Sequence, residues 1–70
     1  MSTAAAETLT GRLTRITTMH AGQHAKVVPA GTLITVRTEA FEDGNRCVYV
    51  RVASSPRIAE VIAKTMIEAI

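Results

Sequence analysis

The chain has few of the residues that staple small proteins or mark specialised ones. Its 70 residues include one cysteine, two prolines, one tyrosine, one phenylalanine and no tryptophan. A single cysteine excludes an internal disulfide, which argues against a secreted, disulfide-stapled scaffold. No apolar run approaches the length that spans a bilayer, and residues 1–6 lack the basic and apolar regions of a signal peptide. We therefore expect a soluble, cytoplasmic protein.

Charge and size limit the function further. Eight basic residues face six acidic ones, and a net charge of +2 is too small to indicate nucleic-acid binding by itself. A domain of this length buries only about 60% of its unfolded surface, so small proteins often gain support from association. We expect a flexible N-terminus at residues 1–6, a single domain at residues 7–70, and a homodimer.

A hairpin at residues 32–53 is the strongest structural signal in the chain. Apolar residues alternate along both halves, as they do on one face of a strand. The two apolar sets face the same side only if the loop has three residues, 43–45, ending in a left-handed Asn45. The predicted core pairs are Val36 with Val52, Thr38 with Val50, and Ala40 with Val48.

The opposite face of this hairpin carries the chain's two aromatic residues. Arg37 and Arg51 are predicted to lie directly opposite each other, an arrangement that destabilises a sheet. Either Glu39 neutralises one arginine on a solvated face, or the face awaits an anion, an acidic partner or a second copy of the chain. The predicted partner-binding residues are Arg37, Glu39, Phe41, Tyr49 and Arg51.

The residues before the hairpin are ambiguous. Within residues 7–19, apolar residues recur at helical spacing, but five threonines and an internal Gly11 favour a strand. Gly11 would then mark a bend or a bulge. A short strand is predicted at residues 25–28, because Pro29 prevents a central strand from continuing.

The C-terminal segment is predicted to be a helix. Ser55 can cap it, Pro56 fits its first position, and neither glycine nor proline follows. Its apolar arc is wider than one sheet face needs, and the surplus suggests helix pairing across a two-fold axis. The predicted dimer-interface residues are Val61, Met66, Ile67 and Ile70.

These elements together predict an α+β fold: a small antiparallel sheet of three to four strands, centred on the hairpin at 32–53 and packed against one C-terminal helix.

Signatures of chemistry are scarce. His20 and His24 are four residues apart, but zinc needs three or four ligands and Cys47 is predicted on the outer face of the hairpin. Asp43 lies in a turn, where aspartate commonly bonds the local backbone. The glycines are too scattered to cradle a phosphate. We therefore expect no catalytic residues, no metal and no cofactor.

Two functional classes remain. The first is a non-catalytic protein-binding module, a small accessory or inhibitor protein of the kind that phages and mobile elements encode, which covers a surface of a host defence or regulatory protein. The second is a nucleic-acid-binding protein that stacks bases on the sheet aromatics. Its phosphate contacts would come from Arg12, Arg15, Lys26, Arg37 and Arg51.

Overall fold

In the computed structural model, which describes residues 8–70, the chain forms one antiparallel sheet of seven strands. The strands are β1 (Thr8–Leu13), β2 (Thr17–Ala21), β3 (His24–Val28), β4 (Leu33–Arg37), β5 (Cys47–Val52), β6 (Ser55–Ala63) and β7 (Ile67–Ala69). A four-residue helix, α1 (Thr38–Phe41), follows β4, and a 3-10 turn, Lys64–Met66, separates β6 from β7.

The strands lie in the order β3-β2-β6-β5-β4-β1-β7. β5 has neighbours on both sides, pairing with β4 and β6, whereas β3 and β7 form the two ends. β2 and β6 are joined at a single pair, His20 with Ala59, so the β2–β3 hairpin is held loosely by its backbone. The molecule is elongated, with principal extents of 39 × 23 × 20 Å.

One face of the sheet forms the core. No second layer lies against this sheet within residues 8–70, so the face is buried where the sheet curls over itself. The core residues come from β1 to β6 and are Leu13, Met19, Val28, Ile34, Val36, Val48, Val50, Val52 and Ile62. The predicted inward orientation of the β5 valines is confirmed.

The predicted hairpin register is wrong by two residues, although its faces are right. Val36 pairs with Val50, not Val52, and Thr35 pairs with Arg51. The chain leaves β4 at Arg37 and forms α1, because Ala40 and Phe41 pack against the core from this helix rather than from a longer strand.

The predicted three-residue loop is therefore replaced by a longer connection. Gly44, rather than Asn45, takes the positive φ of 86°. Asp43 accepts a hydrogen bond from the Asn45 backbone N–H at 2.8 Å, which confirms its predicted role in local backbone bonding.

The predicted C-terminal helix is wrong: residues 55–63 form β6, the longest strand. Three residues of β6 are inserted between the pairs Val52–Ser55 and Arg51–Ala59, and this irregularity breaks the alternation. The buried residues Ala59 and Ile62 are consequently three apart, a spacing that imitates one face of a helix. Pairing with the valine-rich β5 and the β-branched residues of this segment outweigh its helical pattern.

The preference for strand over helix in residues 7–19 is confirmed, but two strands, β1 and β2, form where one was predicted; β3 confirms the short strand at 25–28. The pairing of β1 with β4 is regular through Gly11, so the expected bend is absent. Gly11 is instead a point of close approach. A Cβ atom there would lie 2.7 Å from Cγ2 of Ile67 in β7.

The α+β fold class is therefore corrected to an all-β fold with seven strands in place of three or four. The flexible N-terminus predicted at residues 1–6 lies outside the described residues. Within residues 8–70, no helix is long and apolar enough to cross a membrane.

Candidate functional site

The solvent-facing side of the sheet, called here the outer face, carries a continuous row of residues in register. The row runs across six strands, from β1 to β3, through Thr10, Thr35, Arg51, Ala59, His20 and Ala25, and Ala59 is its one buried member. Strand register alone places these residues on one side, because residues paired across a sheet share a face.

A groove of about 470 Å³ opens on this face beside α1. It is lined by Thr8, Thr35, Val36, Arg37, Ala40, Tyr49 and Arg51, and none of these lining residues is acidic. Three of the five predicted partner-binding residues, Arg37, Tyr49 and Arg51, are thus brought together. The groove is the candidate functional site.

The two groove arginines are not directly opposite, as the sequence had suggested. Arg51 faces Thr35, so Arg37 lies two residues further along β4, on the diagonal. Diagonal residues on one face have Cβ atoms about 7–8 Å apart, compared with about 5 Å for opposed pairs. The shift in register therefore reduces the expected repulsion between the two guanidinium groups.

Arg51 is held in place by two contacts. Its guanidinium lies 5.3 Å from the centre of the Tyr49 ring, within the range of a cation–π interaction. Its Nη1 also donates a hydrogen bond to the carbonyl oxygen of Pro56 at 3.1 Å. Since a guanidinium has five N–H donors, most of them remain available for a ligand.

The other two predicted partner-binding residues lie elsewhere. Glu39 and Phe41 belong to α1 rather than to a strand, and neither lines the groove. Phe41 packs against the core, with Nζ of Lys64 5.8 Å from its ring centre. The outer face therefore presents one of the two aromatic residues, not both.

Carboxylates lie beside two of the basic side chains outside the groove. Arg12 pairs in register with Glu68 of β7, so an acidic residue shares its face. Nδ1 of His20 lies 2.8 Å from a Glu60 carboxylate oxygen, forming an exposed pair. Lys26 is opposite the buried Met19 and therefore belongs to the other face.

A second charged contact supports the connection that follows α1. Nζ of Lys64 lies 2.9 Å from Oδ1 of Asp43, and the Asn45 side chain donates to Oδ2 of the same carboxylate. The hydrogen bond from Lys64, followed by the one from the Asn45 backbone, lowers the pKa of Asp43 below its ordinary value. The 3-10 turn is thereby tied to the tip of the β4–β5 connection.

The four predicted dimer-interface residues do not form one surface. Val61 lies on β6 opposite Tyr49, and it is 58% exposed. Met66 and Ile67 pack partly against the core, whereas Ile70 is 72% exposed at the end of the chain. Three strands separate β6 from β7 in the sheet.

Residues that reasoning from the sequence missed complete the groove: Thr8, Thr35, Val36 and Ala40. The alternation in β4 puts Thr35 beside Arg37 on the outer face and was a usable signal. Thr8 lines the groove because β1 pairs with β4, and no local sequence pattern encodes this long-range contact.

The two histidines and the cysteine lie on three different strands. His20 is in β2 and faces Ala25, whereas His24 begins β3 and faces Ala21. Cys47 is exposed on β5. Within residues 8–70, no three His, Cys, Asp or Glu side chains are grouped so that they could hold a metal ion.

No family model, curated protein or solved structure matches the chain.

Proposed function

We propose that this chain is a non-catalytic protein-binding module that acts by covering a surface of a larger protein with its outer face. The observation that carries the proposal is the groove, where Arg37, Tyr49 and Arg51 converge on the solvent side of the sheet. Arginine and tyrosine dominate the energetics of protein interfaces, because each combines a large contact area with directional hydrogen bonds.

The contact surface extends beyond the groove. Tyr49 is 51% exposed and pairs in register with the exposed Val61, so an apolar area adjoins the two arginines. This arrangement of exposed apolar side chains beside polar donors is typical of a surface that meets another protein.

The biological role in the proposal is that of a small accessory or inhibitor protein, of the type that phages and mobile elements use to block a host defence or regulatory protein. The support is the lack of a catalytic signature in the sequence. We place it in the cytoplasm, because its single cysteine suits a reducing compartment. A homodimer is part of the same proposal.

The placement of the charged side chains supports the non-catalytic part of the proposal. Within residues 8–70, the close contacts between a basic and an acidic side chain are those of His20 with Glu60 and of Lys64 with Asp43. Neither pair lines the groove, so the charged groups there are suited to hold a ligand rather than to transfer protons.

Nucleic-acid binding is the alternative, and the open sheet face with Arg51 beside Tyr49 favours it. Three features make it the second choice. Phe41 packs against the core, Lys26 lies on the other face, and Arg12 is beside Glu68. The stacking surface is thus reduced to one aromatic ring, and two of the five expected phosphate contacts, Arg12 and Lys26, are lost.

The experiment is a pull-down from the native host with three forms of the protein. The wild type is compared with Arg37→Ala/Tyr49→Ala/Arg51→Ala and with the control Arg15→Ala/Ile16→Ala/Arg46→Ala, which removes two charges and one exposed apolar side chain elsewhere. We expect wild type and control to retain the same protein target and the groove variant to lose it. Retention of that target by a folded groove variant would refute the proposal.

A further inference from the structure

We infer that the groove recognises a short acidic segment of the partner protein, with one carboxylate held between the guanidinium groups of Arg37 and Arg51. This inference rests on the proposed protein-binding function and specifies the chemistry of its partner. The observations behind it are the spacing of the two arginines, the immobilisation of one of them, and the limited extent of the positive charge.

The first observation is the spacing of the two groove arginines. Arg37 and Arg51 lie on the diagonal of neighbouring strands, and both line the groove. With Cβ atoms about 7–8 Å apart, their long side chains can reach a shared ligand from two sides. A carboxylate offers two oxygens, and each can accept charge-assisted hydrogen bonds from one guanidinium.

Immobilisation of Arg51 favours binding because little side-chain freedom is left to lose. The Tyr49 ring and the Pro56 carbonyl already fix its guanidinium. Ordering a long side chain at an interface costs about 0.5–1.5 kcal/mol, and pre-organisation removes part of that cost.

The extent of the positive charge distinguishes a short acidic segment from a polynucleotide. A nucleic acid is bound along a track of cations that neutralises several phosphates. On this face Arg12 is paired in register with Glu68, so the positive charge does not continue into β7. An extended polyanion would meet this carboxylate, whereas one or two acidic side chains held in the groove would not.

The apolar surroundings specify the rest of the segment. Ala40 lines the groove, and the exposed Tyr49 and Val61 adjoin it. An acidic residue flanked by aliphatic residues would fill the groove and cover these side chains.

The test measures binding of a fluorescently labelled peptide of alternating Glu and Leu. The peptide in which Gln replaces Glu and an oligothymidine of equal length serve as comparison ligands. The protein is used as wild type, as Arg37→Gln/Arg51→Gln, and as Arg15→Gln/Arg46→Gln, which loses the same charge away from the groove. Circular dichroism establishes that each form is folded.

We expect the Glu peptide to bind wild type at least about tenfold more tightly than either comparison ligand, and the groove variant to lose about tenfold. The control variant should bind within about twofold of wild type. Equal binding of the Gln peptide, no binding of the Glu peptide, or an equal loss in the control would overturn the inference. Tighter binding of oligothymidine would replace it with the nucleic-acid alternative.

Failure here is distinguishable from failure of the proposed function. If the groove variant loses the cellular target but peptides show no preference for Glu, protein binding stands and carboxylate recognition does not. If the folded groove variant keeps its cellular target, the proposed function itself fails.

Discussion

Neighbouring residues of β5 meet opposite environments, and this contrast is the basis of the whole site. Val50 is fully buried at 0% exposure, whereas Tyr49 is 51% exposed on the outer face. We expect Val50→Asp to destabilise the protein severely, because burying an unpaired carboxylate removes on the order of 4 kcal/mol from a total of roughly 5–15.

Tyr49→Ala is the matched substitution one position away. It removes an exposed ring and should leave the melting temperature within a few degrees of wild type, since it opens no cavity in the core. Circular dichroism melts of both variants check the pair. Unfolding by Tyr49→Ala alone would contradict the assignment of the two faces.

Asp43 should make the stability of the β4–β5 connection depend on pH. Lys64 and Asn45 lower its folded pKa below the value of about 3.9 in an unfolded chain. The stabilisation is therefore fully present above that unfolded value, and it is lost as the pH falls through the lower folded pKa.

The measurement is an NMR titration of the Asp43 carboxyl group in wild type and in Lys64→Met. We expect the pKa of Asp43 to rise towards its ordinary value in this variant, because the hydrogen bond from Lys64 is the largest cause of the shift. Lys26→Met, which removes a lysine from β3, should leave the titration unchanged. An unaltered midpoint in Lys64→Met would show that the contact is not formed in solution.

At the scale of elements, the contact between β1 and β7 depends on the absence of a side chain at Gly11. A Cβ there would lie 2.7 Å from Cγ2 of Ile67 and 3.2 Å from the carbonyl oxygen of Glu68. We expect Gly11→Ala to destabilise the protein by about 1–3 kcal/mol, as overpacking does. Urea denaturation measures the loss.

A double-mutant cycle with Ile67→Ala tests the cause. Since Ile67→Ala removes the nearer clashing atom, the double variant should be more stable than the sum of the single effects by at least about 0.5 kcal/mol. Strict additivity would show that Gly11 matters for a reason other than its contact with β7.

Strands were predictable from the sequence where the alternation of apolar and polar residues within one strand was sufficient to identify its two faces. The valines of β5 and the apolar residues of β4 identified both faces, and with them Arg37, Tyr49 and Arg51 of the groove. The register between these strands was not predictable, because α1 takes residues 38–41 out of β4 to pack them against the core.

β6 shows the limit of local patterns more sharply. Its capping residues and the three-residue spacing of Ala59 and Ile62 favour a helix locally. The outcome is decided by β5 in the middle of the sheet, because the backbone N–H and C=O groups on both of its edges need hydrogen-bond partners. Hydrogen bonding between distant elements is invisible to a sequence window, and here it outweighs helix propensity.

At the scale of the whole molecule, the question is how a domain with so small a hydrophobic core remains folded. Ten hydrophobic residues are buried within residues 8–70, and the sheet ends in β3, which exposes four of its five residues. Association would add buried apolar area to a domain of this size, which is the physical motive for the proposed homodimer.

A homodimer makes the melting temperature depend on protein concentration, because association stabilises the folded state by mass action. We expect the midpoint to rise across a dilution series and sedimentation to show a dimer in wild type. Val61 and Ile70 are the exposed members of the predicted interface, and each is replaced by Asp in a separate variant. The variant whose changed residue lies in the dimer interface should be a folded monomer. Ile67→Asp is the control for folding, since Ile67 packs against the core and its loss should lower stability at every concentration. A midpoint that does not change with concentration, together with a monomeric wild type, would remove the homodimer from the proposal and leave the groove to act on a single chain.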